Sequence, residues 1–172
     1  MWETQEDIDH TLFIHNVSER LKNNHISQCL AKINSSDETK KLRLYKTFKT
    51  QYIMEPYLTH VRDARYRVAL SRFRLSSHNL EIELGRHARC KIPVNQRICK
   101  NCAMGEVEDE IHFLLKCPKF EAQRLLLLQS ADLYFPDFRN QTLKMQFNLL
   151  KSPCDSDQMT QLGKFKIGRA HV

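Results

Sequence analysis

The sequence predicts a mainly α-helical fold, a small helical domain built around a loop that carries three cysteines and one histidine. The chain of 172 residues contains only four glycines and five prolines, which is few for a turn-rich β-sandwich. Apolar residues also recur at three- and four-residue spacing in several segments, as they do on the buried face of a helix. The composition, 41% apolar and 27% charged, fits one globular domain with a modest core.

The loop lies in the stretch 97–118, RICKNCAMGEVEDEIHFLLKCP, and contains Cys99, Cys102, His112 and Cys117. A structural Zn²⁺ site takes four Cys or His ligands, usually a Cys-x2-Cys pair and a second pair spaced by about three to five residues. The spacing here therefore predicts a zinc site. Because four protein ligands leave no coordination position for water or substrate, we expect a structural role for the metal.

The residues around these ligands agree with a folded metal loop. Gly105 allows the chain to reverse, and the acidic residues 108–110 favour the first turn of a helix over about 109–116, which Pro118 would end. Three thiolates, one neutral imidazole and Zn²⁺ sum to about one negative charge. We expect nearby basic residues to offset it: Arg97, Lys100 and Lys116.

Other interpretations of the cluster remain open. Cys102 and Cys117 could be core thiols and His112 a core histidine, but the clustering would then be a coincidence. His78 or His87 could replace His112 as a ligand. A catalytic zinc of the nucleoside deaminase type would place a His-x-Glu before the Cys-x2-Cys, which is the opposite order.

The remaining cysteines indicate a reducing compartment. Cys29, Cys90 and Cys154 stand alone in the sequence, as expected of free thiols. The first twenty residues are acidic and carry no secretory signal, and no apolar run is long enough to span a membrane. We expect an intracellular protein, nuclear or cytoplasmic or both, without a membrane partner.

The positive charge of the chain is concentrated in one block. The stretch 62–100 holds ten Lys and Arg and three acidic residues, a balance of +7 that equals the net charge of the whole chain. Such a block is typical of a site for a polyanion, so RNA or DNA is the expected partner, contacted mainly at its phosphates. The candidate contact residues are Arg62, Arg65, Arg67, Arg72, Arg74, Arg86, Arg89, Lys91, Arg97 and Lys100.

Along the chain, the N-terminal helical segment 1–38 should contain a helix that begins near Thr4 and is broken at Asn23 and Asn24, followed by a short second helix. The basic helical region 39–96 follows. Over 39–54 the pattern weakly favours a helix, whose aromatic residues could stack nucleobases or, more simply, form a core stripe.

Pro56 favours a helix over 57–75, which would carry five of the arginines. Arg65 and Arg72 are seven residues apart and should share one face, as should Arg67 and Arg74. Arginine matches phosphate geometry, although a solvated helix face would explain the same pattern. A short helical or extended piece after it should end at Gly85.

After the zinc module, 97–120, the C-terminal helices 121–166 complete the chain. We expect one helix to about Phe135 and another over 141–150, both covering the zinc module. The last six residues, IGRAHV, look like one reading frame of a common sequencing adapter, so 167–172 are expected to be an artefact.

Four pieces of sequence resemble the C-terminal, zinc-binding tail of reverse transcriptase polyproteins of animal non-LTR retrotransposons. They are EPYLTHV, RVALSRFRLSSHNLEIELGR, RICKNC and VEDEIHFLLKCPKF, and the resemblance covers about 42–124. Cys99, Cys102, His112 and Cys117 fall on the zinc-binding positions of that pattern. The resemblance implies a tail that binds nucleic acid and helps the polymerase to engage its template or target.

The chain departs from a complete polyprotein. It contains no Asp-Asp pair of the kind that holds the polymerase metals, and no acidic constellation that suggests the endonuclease. We therefore expect a non-catalytic fragment or degenerate copy. An alternative function is a zinc-folded scaffold whose apolar helices, 125–128 especially, dock on the missing polymerase.

Overall fold

A computed structural model describes residues 10–35, 42–49, 51–151 and 156–168. As predicted, the described chain is mainly helical, and it contains no named strand; Ile98 and Val107 form one isolated antiparallel bridge. The α-helices are α1 (His10–Asn34), α2 (Pro56–His60), α3 (Ala64–Arg74), α4 (Glu81–His87), α5 (Glu121–Tyr134), α6 (Leu143–Lys151) and α7 (Ser156–Gly168).

Helix α1 is continuous, so the predicted break at Asn23 and Asn24 is wrong. Asparagine in a helix costs only about 0.7 kcal/mol relative to alanine, and α1 contains no glycine or proline. The predicted start near Thr4 lies outside the described residues. Several apolar side chains of α1 are exposed, and Ile33 near its end is buried.

The predicted helix over 39–54 is also wrong where the chain is described. Only a 3-10 turn, Tyr45–Thr47, forms there. The predicted helix 57–75 is two helices, because Val61 at the end of α2 has an extended backbone and Asp63 caps α3. The Asp63 carboxylate accepts a hydrogen bond from the backbone N–H of Arg65 at 2.8 Å. Arg62 therefore lies between the two helices.

Helix α4 continues through Gly85, which was predicted to end it. A Cβ atom at Gly85 would lie 2.7 Å from Cγ of Arg97. The glycine is therefore explained by the arginine side chain packed against the helix, rather than by a turn.

The core is built mainly by α3, α5 and α7, and α7 packs against both of the others. The sequence interpretation did not anticipate α7. Its Phe165 ring lies 5.0 Å from that of Phe113, which in turn lies 5.0 Å from Phe120. These three rings join α7 to the cysteine loop, which contains Phe113, and to Phe120 just after it.

The two helices predicted after the zinc module are confirmed as α5 and α6. One cluster of buried residues runs from Leu44 to Phe165 and so includes members of the three predicted segments 39–96, 97–120 and 121–166. No helix in the described ranges has the length and apolar character that crossing a bilayer requires.

Candidate metal centre

The two halves of the cysteine and histidine cluster are formed by different local structures. Cys99 follows Ile98, whose bridge to Val107 brings the two arms of the loop together. Cys99 N–H also donates to the carbonyl of Glu106 at 2.9 Å. Gly105, at the turn, has a φ of +66°, a conformation that glycine adopts without strain. The predicted chain reversal is present.

His112 and Cys117 are brought together by a π-helical turn, His112–Lys116, rather than by the predicted α-helix. The backbone N–H of Cys117 donates to the carbonyl of His112, five residues earlier, at 2.7 Å. Five residues in an α-helix would place the two side chains on different faces, whereas the wider π-turn stacks them. Asp109 caps this turn, since its carboxylate accepts from the His112 N–H at 2.7 Å.

The four side chains converge. The Sγ atoms of Cys99, Cys102 and Cys117 and one ring nitrogen of His112 all lie within 4.8 Å of one another. Cys99 Sγ and Cys117 Sγ are 3.9 Å apart, and Cys102 Sγ lies 3.4 Å from His112 Nε2. Tetrahedral Zn²⁺ with bonds of about 2.3 Å to sulfur and 2.0 Å to nitrogen requires edges of about 3.8 and 3.6 Å. The cluster can therefore hold a metal ion such as zinc.

Burial also affects the protonation of the thiols. It raises the pKa of Cys99 to about 12 and also raises the pKa of Cys117. Without a cation, both would be thiols at neutral pH. A metal ion would hold them as thiolates and compensate the cost of burying charge.

The histidine is oriented by a carboxylate. Nδ1 of His112 lies 3.2 Å from Oε2 of Glu106, and Lys116 Nζ lies 2.6 Å from the same oxygen. With Nδ1 donating to Glu106, Nε2 is left as the metal ligand. Such a contact is common around metal-binding histidines, where it fixes the ring. Glu106 could not be identified from the sequence, because its position six residues before His112 is not a recognisable spacing.

Glu108 attaches the loop to α4. Its buried carboxylate accepts hydrogen bonds from the backbone N–H of Glu81 and from the Asn101 side chain, both at 2.8 Å. Arg97 makes a second attachment, donating to the carbonyls of Ile82 at 2.6 Å and Ile92 at 2.9 Å. The loop is thus part of the domain surface rather than a separate knuckle.

A buried arginine that the sequence did not single out contacts the backbone of the cluster. Arg124 of α5 is buried and donates from Nε to the carbonyl of Leu114 at 2.8 Å and from Nη2 to the carbonyl of Cys117. Burial lowers the pKa of Arg124, and Cys117, when ionised as a thiolate, would oppose that shift. Arg124 is thus a further basic residue beside the cluster, in addition to Arg97, Lys100 and Lys116.

Arg97, Lys100 and Lys116 have direct partners other than the metal ligands. Lys116 pairs with Glu106, and Lys100 Nζ lies 3.0 Å from Glu81. Arg97 is buried against α4. Their charges lie near the loop, but their direct partners are carboxylates and carbonyls.

The candidate nucleic-acid contacts divide into three groups, the smallest being Arg65 and Lys100, which are exposed but paired with Asp63 and Glu81. Arg74, Arg86 and Arg97 are engaged within the protein: Arg74 lies 4.3 Å from the centre of the Phe48 ring and pairs with Glu55 at 3.1 Å, and Arg86 pairs with Glu83 at 2.6 Å. Arg67 donates to the carbonyls of Val61 and Arg62 at the end of α2. In the described chain, four candidates are exposed and have no ion-pair partner: Arg62, Arg72, Arg89 and Lys91.

No protein-family model, curated protein or solved structure matches this chain. The geometry of the cluster therefore carries the functional argument. The alternative ligands are placed apart from it: His78 Nε2 lies 2.8 Å from Glu110, and His87 is an exposed residue of α4.

Proposed function

We propose that the chain is a non-catalytic, zinc-stabilised module that binds RNA or DNA through phosphates. The convergence of three cysteines and one histidine within 4.8 Å carries the metal part of the proposal. The site is structural in this proposal because four protein ligands fill a tetrahedral zinc. Free thiols in the described chain, including the exposed Cys90, agree with an intracellular, reducing compartment, nuclear or cytoplasmic.

The metal part is tested by comparing two cysteine variants. Cys102→Ser removes a ligand, while Cys90→Ser changes an exposed thiol outside the cluster. We expect one zinc per chain in the wild type and in Cys90→Ser, and loss of zinc with a large fall in melting temperature in Cys102→Ser, because metal binding and folding are coupled. A wild-type protein that is folded, zinc-free and indifferent to chelators would refute a structural zinc.

The nucleic-acid part rests on the exposed cations. Arg72 is exposed without an ion-pair partner among the described residues, and Arg65, on the same face of α3, is exposed and paired with the partly exposed Asp63. Neutralising each phosphate contributes about 0.7 to 0.9 to the slope of log affinity against log salt. Arg72→Ala should reduce that slope by about one such step. The matched control is Arg139→Ala. Arg139 is exposed, pairs with Asp132 and lies outside the basic block 62–100.

The parentage is part of the proposal. The resemblance to the zinc-binding tail of non-LTR retrotransposon polyproteins supports a fragment whose parent is an RNA-directed DNA polymerase. Sequencing the transcript upstream of Met1 tests it: an open frame that continues into a polymerase with paired aspartates is the expected result.

A scaffold function is the second candidate, and α5 favours it. Leu125, Leu126 and Leu133 are 51%, 64% and 83% exposed, so this helix presents an apolar surface. A scaffold would self-associate or bind the polymerase, and its affinity for nucleic acid at physiological salt would be weak.

A further inference from the structure

A groove of about 580 Å³ runs along one face of α3, beside the turn that precedes α4 and the end of α7. This volume lies within the range of about 300 to 1,000 Å³ that is usual for small-ligand sites. The groove lies outside the metal cluster. The residues that matter most for its chemistry are Ala64, Arg65, Val68, Arg72, Leu80 and Lys166.

The groove has an apolar wall. Val68 is half exposed there. Ala64 and Val68 are one helical turn apart and leave an open surface between the arginines, and Leu80 closes the opposite side. A flat apolar group could lie against this wall.

The charged side chains among the described residues of the groove are basic. Arg65 and Arg72 line it from α3, and Lys166 lines it from α7, with Nζ 3.1 Å from the centre of the Phe73 ring. None of the described residues that line the groove carries a carboxylate. An occupant should therefore combine an apolar body with negative charge.

We propose that this groove takes one unstacked nucleotide of a single-stranded nucleic acid, with the base against Val68 and the flanking phosphates at Arg65 and Arg72. The inference rests on the proposed function and specifies its ligand as single-stranded. Arg65 remains able to contact a phosphate while bound to Asp63, because a guanidinium carries five N–H donors. The seven-residue spacing of the two arginines places both along the same rim.

Whether a nucleic acid is single-stranded or duplex decides whether a base can enter the groove. A duplex keeps its bases stacked and offers only phosphates to a surface, so its binding should not depend on the apolar wall. A single strand can place a base in the groove, as proteins that combine cationic grooves with apolar or aromatic surfaces bind single strands. An acidic peptide would match the charge but lacks a flat apolar group at each charged unit.

The test fills the groove without changing its charge. Val68→Trp places a large side chain on the apolar wall, and Leu133→Trp adds the same side chain to an exposed position of α5 that does not line the groove. Fluorescence anisotropy would be measured with labelled oligonucleotides of about ten nucleotides, single-stranded and duplex. Melting curves would confirm that both variants fold as the wild type does.

We expect Val68→Trp to weaken single-strand binding about tenfold, while duplex binding and the Leu133→Trp variant change little. Single-strand affinity in Val68→Trp that equals the wild-type value, or exceeds it because a base stacks on the added indole, would overturn the groove assignment. So would competition by poly-glutamate of the same charge that is as effective as the unlabelled oligonucleotide. If Val68→Trp fails to fold, Ala64→Trp, at the exposed first position of α3, fills the other end of the wall.

Failure of this inference can be told apart from failure of the proposed function. In one outcome the wild-type protein binds both strand forms equally, and the slope of log affinity against log salt falls in Arg72→Ala but not in Val68→Trp. The protein then binds phosphates without using the groove. If the wild-type protein binds neither strand form at low salt, both the groove assignment and the proposed nucleic-acid binding are wrong.

Discussion

Glu106 contacts the imidazole of His112 at Nδ1, while Nε2 faces Cys102; Oε2 of Glu106 lies 3.2 Å from Nδ1. The ring is almost entirely buried, while the carboxylate is about one-third exposed. Glu106 thus sets which nitrogen of a buried ring faces the three sulfur atoms. The hydrogen bonds to His112 and Lys116 also hold the pKa of Glu106 below its usual value, Lys116 making the larger contribution.

Replacing Glu106 by alanine should weaken zinc binding about tenfold or more, because the ring loses its orienting partner and some basicity. Competition with a chelating dye would measure the change. Glu121→Ala, an exposed residue in the first turn of α5, is the control and should leave the affinity unchanged. Equal affinities in the Glu106 variant and wild type would show that the ring needs no partner.

Gly85→Ala should destabilise the protein by about 1 to 3 kcal/mol, although alanine favours helices. A Cβ atom would lie 2.7 to 2.8 Å from three atoms of the Arg97 side chain, which is anchored by its two carbonyl contacts. Urea denaturation would measure the unfolding free energy. In a double-mutant cycle, Arg97→Ala should remove most of the penalty; additive effects of the two changes would contradict this packing.

Gly163→Ala should destabilise the contact between α3 and α7 by a similar amount, about 1 to 3 kcal/mol. The added Cβ would lie 2.7 Å from Cβ and 3.2 Å from Cα of Tyr66, so backbone as well as side chain would have to move. Lys164→Ala, at the next and exposed position of α7, should change stability by less than about 0.5 kcal/mol. Thermal denaturation of both variants gives the comparison.

Glu110→Gln should cost about 3 kcal/mol at neutral pH, because it removes a buried partner of Arg43. Arg43 Nη2 lies 2.5 Å from Glu110, and His78 Nε2 lies 2.8 Å from the same oxygen. Burial alone would raise the pKa of Glu110, but the His78 hydrogen bond and the Arg43 charge outweigh it and hold the pKa at about 2.

The pH dependence of that variant follows from the lowered pKa. A carboxyl group whose pKa is lower in the folded state stabilises the protein above its unfolded pKa, about 4.3, and loses that contribution as the pH falls towards the folded value. The difference in unfolding free energy between wild type and Glu110→Gln should therefore shrink below about pH 4.5 and approach zero near pH 2. A difference that stays constant over this range would contradict the assigned ion pair.

Local sequence determined much of the helical architecture. The apolar periodicity that predicted helices after Pro118 is matched by α5 and α6, since both are amphipathic segments that pack on one face. Local signals failed where weak preferences were taken as decisive: asparagines did not interrupt α1, and the ambiguous pattern over 39–54 did not form an α-helix where it is described. Propensities below about 1 kcal/mol are overridden by neighbouring helix and tertiary packing.

The four metal-ligand candidates could be identified from spacing alone, because a tetrahedral site constrains how its ligands are distributed along a chain. Their supporting residues could not. Glu106, Glu108 and Arg124 act through contacts that depend on the π-turn, on α4 and on α5, none of which has a fixed sequence spacing from the cysteines.

By itself the sequence determined a helical protein, a Cys-Cys-His-Cys ligand set and one concentrated block of positive charge. Only the tertiary structure decided how that charge is used. It turns Arg74 and Arg97 inward against aromatic rings and carbonyl groups, and leaves Arg72 at the rim of an apolar groove. The physical reason is that the helices packed around an arginine set the direction of its long side chain. Helix α7, which completes the groove beside α3, lies about ninety residues after α3 in the chain.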